Sequence, residues 1–145
     1  MNERQSDFYK KIRKDVKHWL NDNLDRENKW GDYILAAPDL FHLLYKLSVD
    51  KNVPANKKMK LIAGIAYFIS PIDLLPEAFL GPVGYLDDIA VAAYLLNDLI
   101  NEIDPQIVRN HWAGESDILD LIKTILANAD NMIGSKLWKK IRKRF

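Results

Sequence analysis

The chain has 145 residues, 48% of them hydrophobic and 28% charged, with no cysteine. That balance suits one globular domain rather than a disordered chain, and it excludes a disulfide scaffold and a thiolate metal site. The net charge of +1 averages three unlike parts: residues 1–60 carry 13 basic and 9 acidic side chains, residues 61–108 carry 0 and 7, and residues 109–145 carry 8 and 4.

Met1 is followed by Asn2, Glu3 and Arg4 rather than an apolar run, so no secretory leader is expected. Phe8, Ile12, Val16, Trp19 and Leu20 then recur at helical spacing, with Lys10, Lys11, Arg13, Lys14 and Lys17 on the other face. This predicts a basic amphipathic helix over 8–20. Asn28–Gly31 reads as a break. Asp32 starts a second helix with Pro38 near its N1 position or at a kink, and Leu40, Leu43, Leu44 and Leu47 give its apolar stripe. Asp50–Val53 is a polar loop, and Pro54 opens a third helix. Its first turns carry Lys57, Lys58 and Lys60; its later turns, LIAGIAYFI, are apolar enough to expect burial on most sides.

Ser70-Pro71 stops that helix and begins another. Within SPID, Ser70 suits an N-cap, Pro71 the N1 position and Asp73 the N3 position of a capping box, in a short helix limited by Pro76. Leu80–Gly84 is a tight turn. A central helix follows over 85–103, with Asp87 and Asp88 in its first turn, at the positive end of the helix dipole. Ile89, Ala93, Leu96, Ile100 and Ile103 form its expected core face, and Asp87, Tyr94, Asp98 and Glu102 the opposite stripe. Asp104-Pro105 caps a short helix ending near Trp112, with Gly114 as its stop. Ser116 is expected to cap the next helix, with Ile118, Leu119, Leu121, Ile122, Ile125 and Leu126 inside. Gly134-Ser135 breaks it before the last helix, KLWKKIRKRF, where Leu137, Trp138, Ile141 and Phe145 share a side and Lys136, Lys139, Lys140, Arg142, Lys143 and Arg144 cover the rest. No strand pattern competes. The expectation is an all-α protein, residues 1–145 forming a single compact bundle of six or seven helices with an apolar central helical hairpin.

The longest charge-free run near the centre, Leu61–Ile72, has 12 residues, and Ala78–Leu86 and Ile89–Asn97 have 9 each. A spanning helix needs about 20, so none of these runs is an ordinary transmembrane helix; a short apolar helix ending in Ser-Pro is still compatible with a re-entrant or interfacial insertion.

The stretch ISPIDLLPEAFLGPVGYLDDIAVAAYLL resembles the YkvA-like family, also called domain of unknown function 1232. The signature residues here are Ser70, Pro71, Ile72, Asp73, Leu74, Pro76, Gly84, Tyr85, Leu86, Asp87 and Asp88. Two prolines and three aspartates at near-fixed spacing make the match specific; it covers residues 57–96, and Glu77 stands where many members have Asp. The resemblance implies a small helical module, mainly bacterial, associated with membranes and without an agreed reaction.

Asp73, Glu77, Asp87 and Asp88 come from two helix starts joined by a short turn, and clustered carboxylates can hold Mg²⁺ or Ca²⁺ through oxygen. One reading is therefore a divalent-metal-dependent hydrolase of a phosphorylated small molecule. Two points weigh against it. Asp87 and Asp98 share a face but stand about 16 Å apart at 1.5 Å per residue, and residues 61–108 hold no Lys or Arg to clamp a phosphate. Capping explains the same acids with fewer assumptions. His18, His42 and His111 are isolated, with no HxxxH pair, and no nucleophile motif or Gly-rich phosphate loop occurs.

The favoured reading is a non-catalytic module without cofactor, cytoplasmic or peripheral to the membrane. The basic helices at 8–20 and 136–145 would meet an anionic membrane surface or a protein partner, the anchoring set being Lys136, Trp138, Lys139, Lys140, Arg142, Lys143 and Arg144. The competing reading has those ends fold back and neutralise the acidic middle. Self-association is compatible with either. Nucleic acid is disfavoured, because the aromatic residues of the tail share its apolar face rather than interleaving with its charges.

Overall fold

The computed structural model describes residues 2–22, 31–69, 86–114 and 116–145. These form seven helices and no strand: α1 (Glu3–Asp22), α2 (Gly31–Ser48), α3 (Ala55–Ile69), α4 (Leu86–Ile100), α5 (Pro105–His111), α6 (Ile118–Ile133) and α7 (Ser135–Arg144). The expected SPID cap, the Leu80–Gly84 turn, residues 28–30 and the side chains of Trp19 and Leu20 lie outside the described residues.

Helix α1 begins on a reciprocal capping box. Gln5 N donates to Asn2 Oδ1 at 2.8 Å, and Asn2 N donates to Gln5 Oε1 at 3.3 Å. Ile12 and Val16 are buried, while Lys10, Lys11, Arg13, Lys14 and Lys17 face solvent. Three rings join α1 to its neighbours: Phe8 lies 5.0 Å from Phe41 of α2 and 6.4 Å from Phe68 of α3, and Phe41 meets Phe68 at 5.6 Å. Tilted and edge-on rings at these separations are the favoured aromatic geometry.

In α2, Leu40, Leu43, Leu44 and Leu47 are all fully buried, as their spacing predicts. Pro38 sits inside this helix rather than at its N1 position, where its ring nitrogen cannot bond the Ile34 carbonyl. The helix runs through it because Ile34 and Ala37, on the N-terminal side, are already core residues.

Helices α3 and α4 form an antiparallel hairpin. Lys57 near the start of α3 meets Asp98 near the end of α4, and Tyr67 near the end of α3 meets Asp87 at the start of α4. Gly64 lies between these pairs. A Cβ there would come within 2.6 Å of Leu95 Cδ1 and 3.5 Å of Leu44 Cδ1, so this glycine lets three helices approach closely. Burial of α3 is one-sided, contrary to the expectation for LIAGIAYFI: Leu61, Gly64, Ile65, Tyr67 and Phe68 are buried, but Ile62, Ala63 and Ala66 are exposed. The helix expected to be amphipathic, α4, is instead enclosed on nearly all sides, with Leu86 through Ala93, Leu95, Leu96 and Leu99 buried. It packs on α2, α3, α6 and α7. It ends at Ile100, and Ile100 and Ile103 are only half-buried.

Asp104 caps α5, its Oδ1 accepting from Gln106 N at 3.0 Å, with Pro105 at N1. That helix closes on Trp112 rather than Gly114. The cap of α6 is Asp117, not Ser116: Asp117 Oδ1 accepts from Leu119 N at 2.9 Å. The Ser116 carbonyl is used otherwise, accepting from Trp112 Nε1 at 2.8 Å. Gly134, at φ 89°, ends α6 and starts α7 in a backbone region that favours glycine.

Candidate functional site

Asp87 and Asp88 occupy the first turn of α4, and neither has any solvent exposure. The other expected members of the acidic cluster and the motif, Asp73 and Glu77 with Ser70, Pro71, Pro76 and Gly84, lie outside the described residues. Tyr67 Oη donates to Asp87 Oδ2 at 2.9 Å. The bond fastens the last full turn of α3 to the first turn of α4, on either side of the stretch between Ile69 and Leu86. A carboxylate at a helix N-terminus gains from the dipole, but burial costs several kcal/mol unless hydrogen bonds replace water. The phenol is one replacement. On its other side the Tyr67 ring meets Phe145 edge-on at 5.8 Å.

Asp98, on the same face of α4 as Asp87, belongs to a different interaction. Lys57 Nζ lies 2.8 Å from Asp98 Oδ2 and 3.0 Å from Glu102 Oε1, with Lys60 Nζ 3.6 Å from Asp98. Lys57 is buried. The sequence shows no cation within 61–108, yet the hairpin brings one from just before it. Asp98 lies in the last turn of α4 and Glu102 just beyond its end, four positions on, so the two acids straddle one ammonium on the antiparallel neighbour.

The hydrogen bond from Lys57 holds the Asp98 carboxyl below its ordinary 3.8, and the bonds to Asp98 and Glu102 hold Lys57 above its ordinary 10.5. A depressed acid stabilises the fold above its unfolded value and loses that contribution as pH falls through the folded one. A raised amine stabilises below its unfolded value and loses that contribution as pH rises through the folded one. Lys57→Met should therefore lower the melting temperature at pH 7, and the gap to the parent chain should narrow at pH 3. Melts followed by circular dichroism at the two pH values test this; a gap of the same size at both would contradict it.

Among the described residues, no group of three or more His, Asp or Glu side chains is arranged to hold a metal ion. His111 Nε2 lies 2.6 Å from Asp50 Oδ2, joining the end of α5 to the loop before α3, and this contact holds the Asp50 carboxyl below its usual range. His42 lies on α2 with its ring 5.7 Å from Tyr9. A cleft of about 740 Å³ opens between α2 and the start of α6; Asp32, Asp39, Asp117 and Asp120 are among its lining residues, and burial pushes the Asp39 carboxyl up.

Lys136, Lys139, Lys140, Arg142, Lys143 and Arg144 are all exposed on α7. Trp138, grouped with them in the sequence, is buried instead and meets the Tyr94 ring of α4 edge-on at 5.8 Å. The Arg142 guanidinium lies over the indole at 5.6 Å. Trp138 and the buried Ile141 thus dock α7 and leave its charges outward. Helix α1 has a similar design: buried Ile12 and Val16, with Arg4, Lys10, Lys11, Arg13, Lys14 and Lys17 outward. Among the described residues, no helix is long and apolar enough to cross a membrane.

Residues 57–94 match the model of a family described as a protein of unknown function, DUF1232. The match covers α3, the stretch that follows it and most of α4. The chain is also 30% identical over 108 residues to the uncharacterized protein ORF9 of Methanothermobacter thermautotrophicus, an alignment spanning 74% of each chain. No solved structure matches. The hairpin, its Asp87-Asp88 helix start and the extended likeness to the archaeal protein together place this chain in the DUF1232 family.

Proposed function

We propose that the chain is a non-catalytic helical module that attaches peripherally, from the cytoplasmic side, to an anionic membrane surface. The observation that carries this reading is the outward placement of charge on α1 and α7. Both helices seat themselves by apolar residues, and the basic side chains that remain are exposed. An anionic leaflet attracts each such residue by about 1 kcal/mol within a Debye length. The alternative in which the ends neutralise the middle accounts for Lys57 and Lys60, which pair with Asp98 and Glu102. Lys57 and Lys60 belong to α3, so that pairing does not engage the exposed basic side chains of α7; on α1, Lys11 pairs with Asp15 of its own helix.

Flotation with vesicles of phosphatidylcholine, with and without phosphatidylserine, tests the reading. The chain should float only with the anionic vesicles. Changing Lys139, Lys140, Arg142, Lys143 and Arg144 to glutamine should reduce its partition by more than about a hundredfold. Equal recovery with both vesicle types, or no loss in the neutralised variant, would overturn it in favour of attachment to a protein.

A further inference from the structure

Four outward residues of α3 are apolar. Met59 is 73% exposed and Ile62 54%, and Ala63 and Ala66 are exposed beside them. Their spacing, i, i+3, i+4 and i+7, is that of one continuous stripe on a helix. The apolar residues on its other faces are consumed by the core; this stripe faces outward.

The borders of the stripe are set by the start of α1, where Arg4 stands with Glu3 and Asp7, and by the basic end of α7. On one side lies the start of α1: Arg4 and Gln5 line a shallow depression with Ile62, Ile65, Ala66 and Ile69. On the other side lies the end of α7. Tyr67, one turn beyond Ala63, meets Phe145 edge-on at 5.8 Å, next to the exposed Arg142, Lys143 and Arg144. Within α3 itself Lys58 and Lys60 flank the stripe, and the helix contains no acidic residue. Among the described residues, the acids near it include Asp98 and Glu102, engaged by Lys57 and Lys60, and Glu3 and Asp7 on α1.

We infer that the outer face of α3, Met59, Ile62, Ala63 and Ala66, is the part of the chain that enters the headgroup–acyl boundary of an anionic bilayer, with α3 lying in the plane of the surface. This rests on the membrane reading above and adds the orientation. An apolar stripe rimmed by lysine and arginine is the interfacial pattern: the stripe sinks about 5–10 Å and the cations stay with lipid phosphates. A second copy of the chain is a poorer occupant. A self-complementary contact would bring the same cationic borders together. Four side chains, two of them alanine, also cover far less than the roughly 800 Å² per partner of a stable interface.

The absence of cysteine makes the test clean. A single cysteine at Ile62, and in a second protein at the exposed Thr124 of α6, is labelled with the environment-sensitive dye NBD. With phosphatidylserine-containing vesicles the dye at 62 should shift to the blue and brighten severalfold, and the dye at 124 should not. Ile62→Glu, at an exposed site that leaves the fold intact, should weaken flotation by about tenfold. If the chain floats but the dye at 62 still reports water, the inference fails and the membrane reading survives. If the chain does not float at all, both fail. A blue shift that grows with protein concentration in the absence of vesicles would assign the stripe to a second copy and overturn the inference.

Discussion

Phe41→Ala should destabilise the fold by about 4 kcal/mol, in the range measured for aromatic truncations in well-packed cores. Phe41 has no solvent exposure. Its ring is the common neighbour of Phe8 at 5.0 Å, Phe68 at 5.6 Å and Tyr9 at 6.4 Å. It therefore joins α1, α2 and α3 at one point, and the hole left by alanine would be walled by rings on the other two helices that cannot all close over it. Against a total stability of about 5–15 kcal/mol this is a large fraction. The melting temperature should fall by roughly 10 °C. Chemical unfolding should show the same loss with an unchanged denaturant slope. Phe41→Leu, which keeps most of the volume, should cost about 1.5 kcal/mol. A loss below about 1 kcal/mol for the alanine variant would mean that α1 is not held by this joint.

Asp87→Ala should cost about 2–3 kcal/mol, because it leaves the buried Tyr67 hydroxyl without its carboxylate acceptor and removes an anion from a helix start. Asp87→Asn keeps an acceptor oxygen and should cost less. This ordering distinguishes a structural carboxylate from a chemical one. A group kept for catalysis commonly weakens the fold that carries it, so its replacement would leave stability unchanged or raise it.

The helices at both ends of the chain were legible because each has a single apolar stripe, and a stripe of period 3.6 declares its own core face. Ile12, Val16, Trp138 and Ile141 are buried as that reasoning requires. The middle was harder for the opposite reason. In the later turns of α3 and the middle of α4 the apolar side chains are not confined to one stripe, so the pattern cannot say which face turns outward; only packing decides. Gly64 against Leu95 and Leu44 fixes the rotation of α3, and that rotation exposes Ile62 while burying Tyr67. The same packing encloses Asp87, which helical spacing had grouped with Asp98 and Glu102 on a polar stripe. The caps show a smaller version of this limit. Ser116 and Asp117 are both good N-cap types, and the choice falls to Asp117 because the Ser116 carbonyl is engaged by the Trp112 indole. Lys57 was missed as a partner because its two acids lie 41 and 45 positions away, in the last turn of the facing helix and just beyond it, a relation that exists only once the hairpin is antiparallel.

The buried Asp87 carboxylate maintains the α3–α4 hairpin through Tyr67. A double-mutant cycle with Asp87→Ala, Tyr67→Phe and the pair measures the Asp87–Tyr67 bond directly. Unfolding free energies should give a coupling of about 1.5–3 kcal/mol, the strength of a buried hydrogen bond to a charged group. A coupling near zero, with both single variants as stable as the parent chain, would contradict the claim that this carboxylate is part of the architecture.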